Sequence, residues 1–129
     1  MSIAVKIVTP NTTAYDNAAS EVQFPGFLGQ MGALEGHAQL LTLSKPGVIT
    51  IMSDRGTERY LIGKGFAELN STSLSLLVDL FETVDSIDKD KARSELIEAE
   101  EELSRTAPAD ERHQFVVDRV ELARARVEA

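Results

Sequence analysis

The sequence of 129 residues has no cysteine, and its only histidines are His37 and His113. Disulfide bonds and thiolate metal sites are therefore excluded. With two histidines in the whole chain, a metal centre built from imidazoles alone is not expected. No apolar run approaches the roughly 20 residues that a membrane-spanning helix needs, so we expect no direct insertion into a membrane.

Basic residues are also in the minority. The chain has 21 acidic against 13 basic residues, which gives a formal net charge of −8. Nucleic acid and anionic membrane surfaces attract basic proteins, so neither is an expected partner. The N-terminal stretch MSIAVKIV has neither the charged leader nor the long apolar segment of a signal peptide. The absence of a transit peptide favours a bacterial or organelle-encoded chain over an imported one.

The composition divides the chain into two parts. All eight glycines lie before Phe66, and after about Val84 the sequence becomes rich in Ala, Glu, Arg and Leu. A chain of this length can hold one small core and an appendage. We therefore predict two domains, residues 1–84 and residues 85–129.

The first part reads as a series of short strands. Apolar segments recur about every ten residues with turn-forming residues between them, which is typical of an antiparallel β-sandwich of about eight to ten strands. Leu40–Leu43 is short and apolar enough to predict a buried strand, and Leu74–Phe81 predicts a central one. Pro25 is expected to end the strand before it. The predicted strands are Ile3–Val8, Ala14–Ala19, Glu21–Phe24, Leu40–Leu43, Val48–Met52, Glu58–Ile62, Phe66–Leu69 and Leu74–Phe81.

The second part has helical periodicity. Two narrow stripes of mainly small apolar residues predict an antiparallel helical hairpin whose weakly packed seam makes it detachable. Asp85 or Ser86 is expected to cap the first helix. Pro108 is expected in the first turn of the second helix, after a link of about four to six residues. The stripes are Ala92, Leu96, Ala99 and Leu103, then Val116, Val120, Ala123 and Val127.

Five of the eight glycines fall within Phe24–Gly47, which reads FPGFLGQMGALEGHAQLLTLSKPG. No Gly-Lys-Ser/Thr follows, so this is not a phosphate-binding loop. The stretch resembles the signature of the epsilon subunit of the F-type rotary ATP synthase, and the resemblance extends over the whole chain in length and element order. The matching pieces are Pro25-Gly26, Gly29–Gly32, Gly36-His37, Leu40–Leu43 and Pro46-Gly47.

The resemblance implies a non-catalytic subunit of the central stalk. Such a subunit connects the gamma subunit to the membrane rotor ring of c subunits and couples proton or sodium transport to ATP synthesis. It is peripheral to the membrane through the complex, on the cytoplasmic face of a bacterial plasma membrane, with the plastid thylakoid as the alternative. The hairpin would be a switch that permits ATP hydrolysis when folded and blocks rotation when extended.

The resemblance assigns the turn residues Phe27, Leu28, Gln30 and Met31 to the rotor ring. Gln30 stands where family members often carry an acidic residue, which removes a charge from that contact. The alternative is that these side chains fold back on the sandwich. His37 is implied to meet the gamma subunit, or else it bonds a neighbouring loop carbonyl. It is not expected to be a catalytic base, since no Ser, Cys or second His lies nearby in sequence.

Residues Ile87, Asp88, Lys91 and Ala92 resemble the ATP-binding motif of some epsilon subunits. Lys91 replaces the arginine of that motif, and lysine lacks the bidentate fork that grips a phosphate. The resemblance therefore implies no required cofactor and, at most, weak regulatory ATP binding. The alternative is an ordinary helix start, with acidic residues near the positive end of the helix dipole.

Four arginines occupy the second helical stretch: Arg112, Arg119, Arg124 and Arg126. The resemblance implies that they face an acidic segment of the catalytic alpha/beta subunits when the hairpin is extended. They can equally form a solvated face that pairs with the protein's own carboxylates, as Glu121 with Arg124 would. Two rival functions stay open: a stand-alone nucleotide-sensing module that uses Asp88 and Lys91, and a small β-sandwich enzyme.

Overall fold

The computed structural model describes residues 2–129, which form ten strands, one 3-10 turn and two helices. The chain divides into two compact units, Met1–Val84 and Asp85–Ala129. The predicted fold class, a β-sandwich of eight to ten strands followed by two helices, is confirmed. The elements are β1 Ile3–Thr9, β2 Thr12–Ala19, β3 Glu21–Gly26, β4 Gly29–Ala33, β5 Leu40–Ser44, β6 Gly47–Ser53, β7 Gly56–Ile62, β8 Gly65–Leu69, β9 Ser73–Val78, β10 Phe81–Thr83, the 3-10 turn Val84–Ser86, α1 Lys89–Ser104 and α2 His113–Glu128.

The strands follow one hydrogen-bonded path, in the order β10-β7-β6-β3-β5-β8-β9-β1-β2, with β4 paired to β3. The pairs are antiparallel except β1–β9, which is parallel. The expectation of a wholly antiparallel sheet is therefore corrected at this one pair. A parallel pair needs a long connection, and the chain from β2 to β8 supplies it.

Successive side chains of a strand point to opposite faces of the sheet, and this alternation determines which of them are buried in the sandwich core. In β1, the side chains of Ile3, Val5 and Ile7 are buried, as their spacing predicted. In β9, Leu74 and Leu76 are buried in the same way. The single strand predicted over 74–81 is wrong, because β9 ends at Val78 and β10 begins at Phe81. Between them the Leu80 carbonyl accepts a hydrogen bond from the Gly63 amide instead of a ladder bond.

The strand predicted at Leu40–Leu43 exists, but its predicted burial is wrong. Leu41 is 70% exposed and Leu43 is 45% exposed, while Ser44 is buried. Because successive side chains of a strand point to opposite faces, a short apolar run need not be buried on both. The run therefore turns two leucines away from the core.

The sequence suggested that Pro25 ends β3, and this prediction is wrong. The strand continues to Gly26 and pairs with β4 across a tight turn at Phe27 and Leu28. The ladder between β3 and β6 ends at Gln23, so the amide hydrogen that Pro25 lacks costs no bond of that ladder. Gly29 closes the turn with φ of +128°, a conformation that only glycine adopts without strain.

The helical unit begins with a different cap from the expected one. Asp85 and Ser86 lie in the 3-10 turn, and the cap of α1 is Asp88, whose side chain accepts a 3.1 Å hydrogen bond from the Lys91 amide. The link between the helices covers residues 105–112, longer than predicted. Pro108 lies in this link, so its expected place in the first turn of α2 is wrong.

The hairpin seam follows the predicted stripes. Ala92 and Ala99 of α1 are buried, as are Val116, Val120 and Ala123 of α2. The larger stripe members are half-buried: Leu96, Leu103 and Val127. Small buried side chains remove little apolar area from water, so this seam stabilises the hairpin modestly.

Candidate functional site

The β3–β4 hairpin exposes three of the four side chains assigned to the rotor ring. Leu28 is 94% exposed and Phe27 is 52% exposed, and Gln30 is exposed as well. The ammonium of Lys45 lies 5.4 Å from the centre of the Phe27 ring, a cation–π distance. The tip of this turn is therefore apolar with one positive charge beside it.

Met31 differs from its neighbours in the turn. Its side chain is half-buried and packs against the sandwich core. A Cβ atom added at Gly26 would lie 2.5 Å from the Met31 sulfur, so the thioether fills the space that this glycine leaves. Of the two interpretations, Met31 follows the one in which the side chain folds back on the sandwich. Its assignment as an exposed contact is corrected.

His37 lies in the loop between β4 and β5 and is half-buried. Its Nδ1 atom is 2.7 Å from the Ala38 carbonyl oxygen, and its amide donates to the Leu34 carbonyl at 3.2 Å. These are the contacts of a loop histidine that orders its own backbone. His37 precedes β5 by three residues in the sequence, and β5 carries the exposed leucines described next.

An outward-facing apolar row crosses neighbouring strands of the sandwich, and it was not predicted from the sequence. Leu43 of β5 pairs with Phe66 of β8, and Phe66 pairs with Leu77 of β9. Phe66 is 55% exposed and Leu77 is 57% exposed. The apolar row is defined as Leu41, Leu43, Phe66 and Leu77. Adjacent exposed apolar side chains of this size are typical of a surface that a partner covers.

A cluster of hydrogen-bonded and stacked side chains, also not predicted from the sequence, connects β2 with β7 and β10 at the two ends of the strand order. The Tyr15 hydroxyl of β2 donates to Glu58 of β7 at 3.1 Å, and the Tyr60 hydroxyl donates to the same carboxylate at 2.6 Å. Arg55 donates to the Tyr15 hydroxyl at 3.3 Å. The Tyr60 ring stacks on Phe81 of β10 with 4.7 Å between centroids. No sequence signal links Tyr15 to Glu58, because 43 residues separate them.

This cluster shifts the pKa values of its members. The Tyr60 hydrogen bond lowers the pKa of Glu58, because it stabilises the carboxylate. The same bond raises the pKa of Tyr60 to about 12, with burial as the next cause. Burial raises the pKa of Tyr15, a shift that the Arg55 contact opposes. Each hydroxyl is thus held protonated, which suits a structural tie and not a nucleophile.

The four residues of the candidate ATP motif have different environments. Ile87 is half-buried, Lys91 is exposed and Ala92 is buried in the hairpin seam. The Asp88 carboxylate is occupied as the cap of α1. These are the features expected of an ordinary helix start, and the arginines of α2 pair elsewhere.

The arginine set of the second helical stretch reaches across the hairpin to glutamates of α1. Arg112, just before α2, and Arg119 both contact Glu102, at 2.8 and 2.7 Å. The other contacts are Arg119–Glu98 at 3.4 Å, Arg124–Glu100 at 3.6 Å and Arg126–Glu95 at 3.6 Å. These side chains range from 23% to 70% exposed, so water screens the pairs and each contributes only about 0–1 kcal/mol.

Within residues 2–129, no group of three or more His, Asp or Glu side chains is arranged to hold a metal ion. No helix in this described range is long and apolar enough to cross a membrane.

Comparisons with known proteins agree on one family. Residues 2–84 match the family model described as ATP synthase, Delta/Epsilon chain, beta-sandwich domain. The chain is 38% identical over 116 residues to the ATP synthase epsilon chain of Microcystis aeruginosa, covering 90% of this chain and 84% of that one. It is 36% identical over 129 residues to the chloroplastic epsilon chain of Guillardia theta, covering 100% and 98%.

A solved structure supports the fold. A chain of the Euglena gracilis mitochondrial ATP synthase, solved with its F1 part and c-ring, superposes with a TM-score of 0.83 at 19% identity. The match covers 98% of this chain and 79% of that chain. The sandwich thus defines a delta/epsilon-type subunit of a rotary ATP synthase. Within that class, the chain belongs to the epsilon family of the F-type enzyme, as the resemblance predicted.

Proposed function

We propose that this protein is a non-catalytic subunit of the central stalk that links the gamma subunit to the c-ring and so couples ion transport to ATP synthesis. The observation that carries the proposal is the apolar row on the rigid sandwich. Its side chains lie on three hydrogen-bonded strands, so they present one continuous surface with little ordering cost on binding. We assign this row, together with His37 of the loop before β5, to the gamma subunit.

The turn tip at Phe27 and Leu28 supplies the second contact, which we assign to the polar loops of the c-ring. It belongs to the β3–β4 hairpin, whereas the apolar row belongs to β5, β8 and β9. A link between two partners needs two separate surfaces on one rigid body, and this arrangement supports that role. The protein would then be peripheral to the membrane through the complex, on the cytoplasmic face in a bacterium.

We further propose that the hairpin regulates ATP hydrolysis. In the folded hairpin the arginine set lies against α1, and in an extended hairpin the same arginines would bind the alpha/beta subunits. Weak, partly exposed ion pairs support this exchange, since a competing carboxylate surface could replace them at little cost. Under this proposal the subunit requires no cofactor, and ATP is a weak regulatory ligand of Asp88 and Lys91.

The assignment of the two surfaces is tested with a matched pair of variants. The double variant Phe66→Ser/Leu77→Ser should bind the gamma subunit at least about tenfold more weakly, because it removes two central apolar contacts. Leu28→Ser should leave gamma binding unchanged and weaken retention on c-rings. Binding is measured by calorimetry with isolated gamma and by co-sedimentation with c-rings in detergent.

Both variants alter exposed side chains, so each should keep the thermal midpoint of the parent chain within a few degrees. Gamma binding at parental affinity by the double variant would overturn the assignment of the apolar row. Loss of gamma binding in Leu28→Ser would show instead that the turn tip contacts gamma.

A further inference from the structure

The first residue of α1 is bonded to the last turn of α2. The Nζ atom of Lys89 donates to the Arg126 carbonyl at 3.0 Å and to the Val127 carbonyl at 2.9 Å, and it also contacts the main-chain oxygen of Ala129. The Lys89 side chain is part-buried at this point. One ammonium group therefore converges on three main-chain oxygens at the end of the other helix, two within α2 and one just after it.

These oxygens are groups that a helix cannot satisfy by itself. The last four carbonyls of an α-helix have no amide partner within the helix, and they carry its partial negative charge. A lysine near a helix end can supply the missing donors, and its charge strengthens each bond. Here the lysine comes from the opposite helix, so the cap of α2 forms only when the hairpin is closed.

The position of this contact gives it a specific effect on the hairpin. The link at residues 105–112 joins the helices at one end, and Lys89 joins them at the other, 37 residues away from Arg126 in sequence. The next cross-hairpin pair inward is Arg126 with Glu95, at 3.6 Å and partly accessible. The Lys89 contact is thus the outermost tie between two helices whose seam is made of small side chains.

We propose that Lys89 is a clasp that holds the hairpin closed at the end opposite its link, so that opening of the hairpin begins when Lys89 leaves the end of α2. The clasp is a property of the isolated chain. Its consequence for hydrolysis rests on the regulatory role proposed above. In that role, the clasp sets how often the arginine set becomes available to the catalytic subunits.

The test uses the full chain and two matched variants of α1. Lys89→Met keeps the length of the side chain and removes its donors. Arg93→Met also removes one positive charge from α1, but Arg93 pairs with Asp90 of its own helix. Hydrogen exchange of the amides of residues 124–128 reports the opening of the last turn of α2. We expect about tenfold faster exchange there in Lys89→Met, and parental exchange in Arg93→Met.

Two further measurements keep the result specific. Amides of the sandwich strands should exchange at parental rates in both variants, and Lys89→Arg should restore most of the protection, because it keeps charged donors at the site. Equal exchange of residues 124–128 in Lys89→Met and Arg93→Met would overturn the clasp. Faster exchange throughout the sandwich in Lys89→Met would also overturn it, since the effect would then be global.

Hydrolysis by the reassembled complex separates the clasp from the regulatory role. If both are correct, Lys89→Met should lower the rate of ATP hydrolysis relative to Arg93→Met, because the hairpin opens more often. Faster exchange at residues 124–128 with an unchanged rate of hydrolysis would retain the clasp and overturn the regulatory role of the hairpin.

Discussion

Leu43 of β5 lies directly opposite Phe66 of β8, and both side chains face away from the sandwich core. Cross-strand neighbours on one face have Cβ atoms about 5 Å apart, so the two side chains cover each other in part. With Leu77 on the next strand, they form an exposed apolar surface. Such a surface does not contribute to the core of the isolated chain and is typical of a binding site. The proposed contact with the gamma subunit follows from this pairing.

The first prediction concerns stability and follows from which side chains of β5 point away from the core. Leu41→Ala should change the free energy of unfolding by about 0.5 kcal/mol or less, because the side chain is 70% exposed. Leu76→Ala should cost about 2–5 kcal/mol, because Leu76 is fully buried in the core. Urea unfolding followed by circular dichroism measures both. A large loss in Leu41→Ala would mean that β5 faces the opposite way.

The exposure of Leu41 could not be predicted from the sequence. Apolar residues in alternation, such as Ile3 and Val5, identify their buried face by themselves. A continuous apolar run does not, because a shift of one residue exchanges the two faces and leaves the pattern unchanged. Contacts between residues far apart in the chain also cannot be predicted from a single sequence. The Tyr15–Glu58 and Arg124–Glu100 contacts are examples, because no local motif contains both members of either pair.

Helical spacing, in contrast, was informative because it repeats. Ala92 and Ala99 recur on one face over several turns, so the buried stripe was predictable even though the caps were not. The cap depends on one residue, and Asp85, Ser86 and Asp88 have similar capping propensities. The partner of Lys89 could not be predicted, since it depends on the register between two helices.

The second prediction concerns pH. The pKa of Tyr60 is raised from 10.0 to about 12 in the folded protein. A raised pKa means that this group stabilises the fold fully below about pH 10 and that the contribution is lost as the pH rises to about 12. Tyr60→Phe should therefore be less stable than the parent by about 1 kcal/mol at pH 8. The difference should shrink between pH 10 and pH 12.

Glu58 provides the opposite dependence as an internal check. Its pKa is lowered from 4.5, so its contribution is present above that pH and is lost as the pH falls below it. Urea unfolding of the parent and of Glu58→Gln across both ranges measures the two effects. A gap between parent and Tyr60→Phe that stays constant from pH 8 to pH 12 would contradict the assigned bond to Glu58.

The third prediction concerns ATP. Because Lys91 is exposed and lacks the bidentate fork of arginine, any binding should be weak, and Lys91→Arg should tighten it severalfold. Calorimetric titration of the full chain with ATP measures both proteins. If neither binds at millimolar ATP, Asp88 and Lys91 have only the role of a helix start that their contacts show.

The fourth prediction concerns the arginine set and begins from its partners in the folded hairpin. Arg119, Arg124 and Arg126 each contact a glutamate of α1. Replacing all three by Ala removes three of the four arginines proposed to bind the catalytic subunits, so ATP hydrolysis by the assembled complex should rise severalfold. The folded hairpin should lose about 0–1 kcal/mol per pair.

The reverse substitution separates binding of the catalytic subunits from loss of the hairpin. Changing the glutamate partners Glu95, Glu98, Glu100 and Glu102 to Gln breaks the same ion pairs but keeps the arginines. If the arginines bind an acidic surface of the catalytic subunits, this variant should lower hydrolysis, whereas the arginine variant raises it. The effects of both variants on the rate of hydrolysis should become smaller at high salt, where exposed charges are screened. Changes of the same sign in the two variants would mean that the rate follows hairpin stability alone, and inhibition would then have to come from steric blockage.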